Sequence, residues 1–142
     1  MIFIGSIRDI KNKNFDEVWS ITNSDRLSKS PGIIYVPQLA PSWDLYNKTQ
    51  ALKKQGQWCD QVFSLMYAPQ FIRDINKPNS RQLLNQLYLL DKQNKNIALV
   101  CFCSEEETCH RSIIAGILQG AGCNVQGVKK DYSFYYKKFQ GC

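Results

Sequence analysis

Histidine is almost missing from this sequence: His110 is the only one among 142 residues. Imidazole chemistry, whether general base, proton shuttle or metal ligation, therefore has a single address. Long apolar runs are missing too. Although 44% of the residues are hydrophobic, no stretch approaches the roughly 18 consecutive apolar residues of a membrane span. The opening MIFIGSIRD lacks the basic n-region and long apolar h-region of a signal peptide and reads as a first strand. Internal repeats and low-complexity segments are absent. With 142 residues, 21% of them charged, the chain has the size and composition of one globular domain with a real core, not of a disordered segment.

What is present is six cysteines and a formal net charge of +6. An even cysteine count implies a disulfide framework only in a small, secreted, core-poor chain. With no signal segment and a full apolar complement, these cysteines read as thiols of a cytoplasmic protein. Lys129, Lys130, Lys137 and Lys138 against Asp131 supply half of the surplus charge. They lie in the C-terminal segment 129–142, where lysines are interleaved with aromatics. That composition suits a nucleotide or nucleic-acid stacking surface, and equally a final helix or arm packing its aromatics on the sheet. Tyr35, Trp43, Trp58 and Tyr67 read first as packing residues.

Along the chain, Met1 to Gly5, Phe15 to Thr22 and Ile33 to Pro37 read as three short strands separated by polar loops. After Pro41 the texture becomes helical. Ser42 is the expected N-cap of a helix that carries Leu45, Thr49 and Leu52 and stops at Gly56. A second helix starts near Trp58 and is expected to break before Pro69, with a further turn at Phe71 to Ile75. A third runs from Ser80 with Leu83, Leu84, Leu87, Tyr88 and Leu90 as its apolar stripe. Asn96 to Cys103, NIALVCFC, has the continuous apolar character of a central strand covered on both faces. A loop, a helix around Ile113 to Leu118 and a last strand from Cys123 to Val128 complete a βαβ unit. The expected fold is α/β: a single compact domain with a mainly parallel central sheet flanked by helices, a Rossmann-like three-layer arrangement.

Ligands of open α/β sheets settle outside the carboxyl ends of the strands, which directs attention to CFCSEEETCHRS. With Thr108 as N-cap, Cys109, His110 and Arg111 fall in the first helical turn. Free N–H groups and the positive dipole end favour an anion there, and Arg111 adds a fork for phosphate or carboxylate. The same field lowers the pKa of Cys109 and makes it a candidate nucleophile, with His110 beside it. Plainer readings stand next to these. Cys101, Cys103 and Cys123 suit small core positions, His110 suits a structural bridge to the sheet, and Arg111 suits surface pairing with Glu105, Glu106 or Glu107. Cys101, Cys103, Cys109 and His110 are the right ligand types for zinc or an iron–sulfur cluster. Their spacing argues against it: there is no Cys-x-x-Cys knuckle, and adjacent Cys109 and His110 are expected to diverge on a helix. No metal or other cofactor is expected. A tyrosine-phosphatase loop is excluded because no cysteine has arginine at the sixth following position.

Two stretches resemble a known family. LVCFCSEEETCHRSIIAGIL looks like the Cys-His-Arg-Ser signature of the domain of unknown function 488 family, and QLAPSWDLYNKTQALKKQGQWCDQVFSLMYAPQF is similar to its Leu-Ala-Pro-Ser segment and following helix. The opening IFIG fits the family's first strand, so the resemblance spans most of the chain. It implies a compact intracellular α/β domain of bacterial or phage type, and it carries over candidate positions without a reaction: Cys109, His110, Arg111 and Ser112 from one motif, Ala40, Pro41 and Ser42 from the other. The family's strand-two Asp-Val-Arg is replaced here by WSITNSDR, where Asp25 and Arg26 are the nearest substitutes.

The resulting expectation is a protein that binds a phosphorylated ligand, a nucleotide or nucleic acid, at the start of the Cys109-His110-Arg111 helix. Cys109 and His110 are the candidate catalytic residues, with Arg111, Ser112, Ser42, Arg26 and Ser6 as ligand-binding residues. The alternative is a non-catalytic nucleotide-binding or sequestering protein. No membrane partner is expected.

Overall fold

The computed structural model describes residues 1–10, 14–24 and 31–141. Among the described residues, five strands form one sheet: β1 (Ile2–Ser6), β2 (Glu17–Ser20), β3 (Ile33–Tyr35), β4 (Ile97–Cys101) and β5 (Val125–Gln126). Their order is β3-β2-β4-β1-β5, and every pairing is parallel, with Ile2 opposite Ile97 and Trp19 opposite Leu99. The sheet and its helices make the three-layer α/β fold expected from the βαβ pattern. β4 lies between β2 and β1 and is buried along its whole length, as its unbroken apolar run requires. It ends at Cys101, so Cys103 lies in the following loop and not in the strand.

Alternation along the strands makes the layers unequal. Ile2, Ile4, Trp19, Ile21, Ile97, Leu99 and Cys101 face the main core, which the helices supply. Phe3, Ala98 and Val100 face a smaller cluster closed by Ile7, Ile10, Phe15 and Val18. Ile7 and Ile10 come from the 3-10 turn Ile7–Ile10 that follows β1.

Helix α1 (Trp43–Lys54) begins at Ser42, whose hydroxyl accepts from the Leu45 N–H. It ends where Gly56 takes φ +68°, which lets the Gln57 N–H reach back to the Leu52 carbonyl at 2.9 Å and satisfies an orphan acceptor of the last turn. The next segment corrects an expectation. Pro69 does not break the helix: α2 (Asp60–Val62) runs through a π-turn, Phe63–Tyr67, into α3 (Ala68–Ile75). The Ala68 N–H bonds to the Phe63 carbonyl, and this widened turn absorbs a proline that an α-helical ladder rejects. α4 (Pro78–Lys92) precedes β4, α5 (His110–Gly120) follows it, and α6 (Phe134–Gln140) closes the chain.

The C-terminal aromatics divide by burial. Tyr132 and Tyr135 enter the core, while Phe134 stays exposed beneath the Lys138 ammonium, 5.6 Å from its ring. α6 packs on α5 at two glycines, and a Cβ at Gly116 would lie 1.9 Å from the Tyr132 carbonyl oxygen.

Candidate functional site

The carboxyl ends of β2, β3 and β4 open onto a cavity of about 840 Å³. Tyr35, Pro41 and the α1-side residues Trp43, Tyr46, Thr49, Gln50 and Lys53 line it together with Cys101, Cys103, Cys109 and His110. Trp43 is 59% exposed and meets Tyr46 edge to face at 5.6 Å, so these aromatics belong to the cavity and not to the core. Tyr35 is tied down by its hydroxyl, which donates to the Asn23 carbonyl at 2.9 Å. The Asn23 amide in turn donates to the Pro41 carbonyl, joining the β2 end to the start of α1.

The thiol cluster follows from where α5 begins. Cys109, and not Thr108, is the N-cap, with extended φ −120° and ψ 148° and no side-chain capping bond. A side chain at this half-in position points off the helix, and its sulfur reaches the end of β4. Cys109 Sγ lies 3.7 Å from Cys101 Sγ, and the sulfurs of Cys101, Cys103 and Cys109 all lie within 4.8 Å of one another. Cys109 and His110 do not diverge either: Cys109 Sγ is 3.4 Å from His110 Nδ1.

His110 Nε2 lies 2.7 Å from the Ile21 carbonyl oxygen. A carbonyl only accepts, so Nε2 carries the proton and Nδ1 is the acceptor turned to Cys109. Burial lowers the His110 pKa, which keeps the ring neutral. An aromatic ladder holds it: Trp58, Phe63, Tyr67 and Phe71 contact one another in turn, and Phe71 meets His110 at 5.6 Å.

The three thiols differ in character. Burial pushes Cys109 up, opposite in direction to the helix-field expectation, because the N-cap sulfur sits in the core. Cys101 is also raised, first through its hydrogen bond to Cys103. Cys103 receives the hydrogen bonds of both, with Lys53 and Arg111 adding positive charge, and its pKa is held well below that of an ordinary thiol. Of the three thiols, the one whose pKa is lowered is Cys103, for which a core position was expected.

Arg111 is turned inward and 6% exposed. Its Nη1 donates to the Cys103 carbonyl at 3.2 Å and approaches Cys101 Sγ at 3.8 Å; neither partner is one of the neighbouring glutamates. It lines a second cavity of about 610 Å³ with Ser6, Arg8, Asp9 and Lys129. Cys103 lines both cavities.

A family model, DUF488-N3a, described as the active DUF488-N3 subclade, matches residues 7–122. The chain belongs to that family. Comparison with curated proteins and with solved structures gives no match. The DUF488-N3a assignment agrees with the broader resemblance seen in the sequence.

Of the candidate residues, this DUF488-N3a chain brings Cys109 and His110 together on the aromatic cavity, and Arg111 and Ser6 on the second cavity. Ser112 lines neither: it is fully buried and its hydroxyl donates to the Cys109 carbonyl at 2.8 Å. Ser42 is spent on capping α1. Arg26, with Asp25, lies outside the described residues. Two residues of the site were not among the candidate catalytic and ligand-binding residues. One is Cys103. The other is Glu106, buried within the acidic loop, where its Oε2 accepts from the Lys129 N–H at 2.9 Å and from the Tyr132 hydroxyl at 2.6 Å.

Proposed function

We propose that this domain takes a phosphorylated aromatic ligand, a nucleotide or the end of a nucleic acid, into the aromatic cavity, and that Cys103 acts on it as a nucleophile. The observation that carries the reading is the position of Cys103, the half-buried thiol of the cluster, where the aromatic cavity and the cavity lined by Arg8, Arg111 and Lys129 meet. Exposed Trp43 and Tyr46 offer a stacking surface for a base. Lys53 and the first-turn N–H groups of α5 suit phosphate. Cys109 and His110 stand behind Cys103 as a thiol and a neutral base in hydrogen-bond contact, the arrangement that supports a nucleophile. The description of the family as an active subclade accords with chemistry here.

One observation favours the non-catalytic reading. Both His110 nitrogens are engaged, by Ile21 and by Cys109, and a site that only sequesters its ligand needs no free base.

A nucleotide panel read by thermal shift and by chromatography of the recovered ligand tests both readings. The proposal expects a stabilising nucleotide, its loss with Trp43→Ala, and conversion of the ligand by the native protein but not by Cys103→Ser. Ligand recovered unchanged selects the sequestering reading. A panel with no shift, or one that Trp43→Ala leaves intact, overturns nucleotide binding in this cavity.

A further inference from the structure

We propose that Cys101, Cys103 and Cys109 form a site for a thiophilic cation of the zinc class, held through three sulfurs with its fourth position open to the aromatic cavity. With metal–sulfur bonds near 2.3 Å, a tetrahedral centre sets its sulfurs about 3.8 Å apart. The Cys101 to Cys109 separation is already 3.7 Å, and no sulfur pair exceeds 4.8 Å, so side-chain adjustment of about 1 Å closes the set around an ion. The three donors come from the end of β4, the loop after it and the N-cap of α5, elements fixed by the sheet and by the Glu106 anchor, so the site is largely preformed.

The surroundings point the same way. Arg111 is buried beside Cys101, and its Nε has no hydrogen-bond partner among the described residues. A buried guanidinium favours negative charge on the sulfurs beside it. Three thiolates and one dication carry a net charge of −1, which the guanidinium balances. The donor set is all sulfur, which selects thiophilic ions against magnesium or calcium. All three cysteines line the cavity, so the ion has three protein ligands and an open position, the pattern of zinc sites that handle ligands and not of closed structural sites. On binding, three sulfur–metal bonds form, each thiol still protonated gives its proton to solvent, and no electron is transferred.

Metal binding does not depend on the nucleotide reading. Its consequence does: a metal-bound Cys103 is no longer a free nucleophile, so occupancy and thiol chemistry exclude each other.

The test is anaerobic titration of the reduced full chain with Co²⁺, followed by optical absorption with no nucleotide present. The expected result is a sulfur-to-cobalt charge-transfer band with tetrahedral d–d bands, saturating at one ion per chain and bleached by one equivalent of Zn²⁺. Cys103→Ser, at the most accessible of the three positions, lowers Co²⁺ affinity at least 10-fold, whereas Cys59→Ser and Cys123→Ser leave it unchanged. In the native protein, Zn²⁺ blocks iodoacetamide labelling of Cys103 and a chelator restores it, a readout that needs no variant to fold. No charge-transfer band at stoichiometric Co²⁺, a band that survives Cys103→Ser or departs with Cys59→Ser, or labelling indifferent to Zn²⁺ overturns the site. Because no nucleotide enters these measurements, their failure is separate from failure of the ligand reading.

Discussion

Glu106 holds the loop that presents Cys103 and starts α5, and replacing it measures how much that loop depends on one carboxylate. The residue is 7% exposed, and both of its side-chain bonds converge on Oε2, from the Lys129 N–H and the Tyr132 hydroxyl. Desolvation, reinforced by the bond to Glu106, raises the Tyr132 pKa, so the phenol stays a donor. Glu106→Gln keeps the shape and can keep one oxygen in place, but it removes charge assistance from two bonds. Bonds to charged groups contribute about 1.5 to 3 kcal/mol against about 0.5 to 1.5 for neutral ones, so the loss is about 1 kcal/mol per bond and about 2 kcal/mol in all. Relief from burying a charge acts in the opposite direction. It does not win here, because the new amide nitrogen brings two donors that need acceptors. With an unfolding entropy near 2.1 cal/mol/K per residue, a loss of about 2 kcal/mol lowers Tm by about 7 °C for a chain of this length. Thermal unfolding followed by circular dichroism, with exposed Glu105→Gln as control and Glu106→Gln combined with Tyr132→Phe as a double-mutant cycle, reads this directly. Equal Tm values for Glu105→Gln and Glu106→Gln, or strictly additive effects in the cycle, would refute the anchor.

Three further outcomes follow from single contacts. Gly116→Ala places a methyl group 1.9 Å from the Tyr132 carbonyl oxygen, a backbone atom that cannot rotate aside, so α6 must shift; a loss of about 3 kcal/mol or more by urea unfolding is expected, and a loss under about 1 kcal/mol would show that α6 is not seated as described. Ser42→Ala removes the hydroxyl that accepts from the Leu45 N–H and should cost about 1 kcal/mol in the same assay, with Ser42→Asp restoring most of it. Burial, with the nearby Asp91 charge adding to it, pushes the Cys123 thiol up to about 11. Near pH 8 its thiolate fraction then falls about 100-fold below that of an ordinary thiol, and mass-spectrometric mapping of iodoacetamide labelling should place it far behind exposed Cys59.

The parts of the fold that were legible rest on local, redundant signals. The unbroken run NIALVC, a loop, an apolar-striped helix and a second short strand leave little choice but a parallel crossover, and β4 and β5 do run parallel in one sheet, with β1 between them. Ser42 and Gly56 marked both ends of α1 because a cap and a left-handed stop act within a few residues of themselves. Pro69 misled because proline's usual effect is also local, and the π-turn that accommodates it is selected by tertiary packing of Phe63, Tyr67 and Phe71 against His110.

The site was half legible, and the missing half has one physical origin. The strand-to-helix pattern correctly brings Cys109 and His110 to the sheet edge, while Cys103, expected within the strand, lies in the loop after it. What propensity cannot supply is the one-residue difference between Thr108 and Cys109 as N-cap. Threonine is the better capping side chain, yet the chain begins α5 one residue later, and the tertiary contacts there outweigh a capping bond of about 1 kcal/mol: His110 against Ile21 and Phe71, and Arg111 against Cys103. That shift takes Cys109 off the helix, where the macrodipole would have activated it, and sets it against Cys101 in the core. It moves the accessible sulfur to Cys103 and turns two cysteines and a strand end into a three-thiol pocket. Glu106 was hidden for a related reason: three consecutive glutamates look identical until Lys129 and Tyr132, more than twenty residues on, select the middle one. The acidic run that looked like a solvated surface is therefore the tether that lets a cationic, thiol-rich pocket sit at the end of β4.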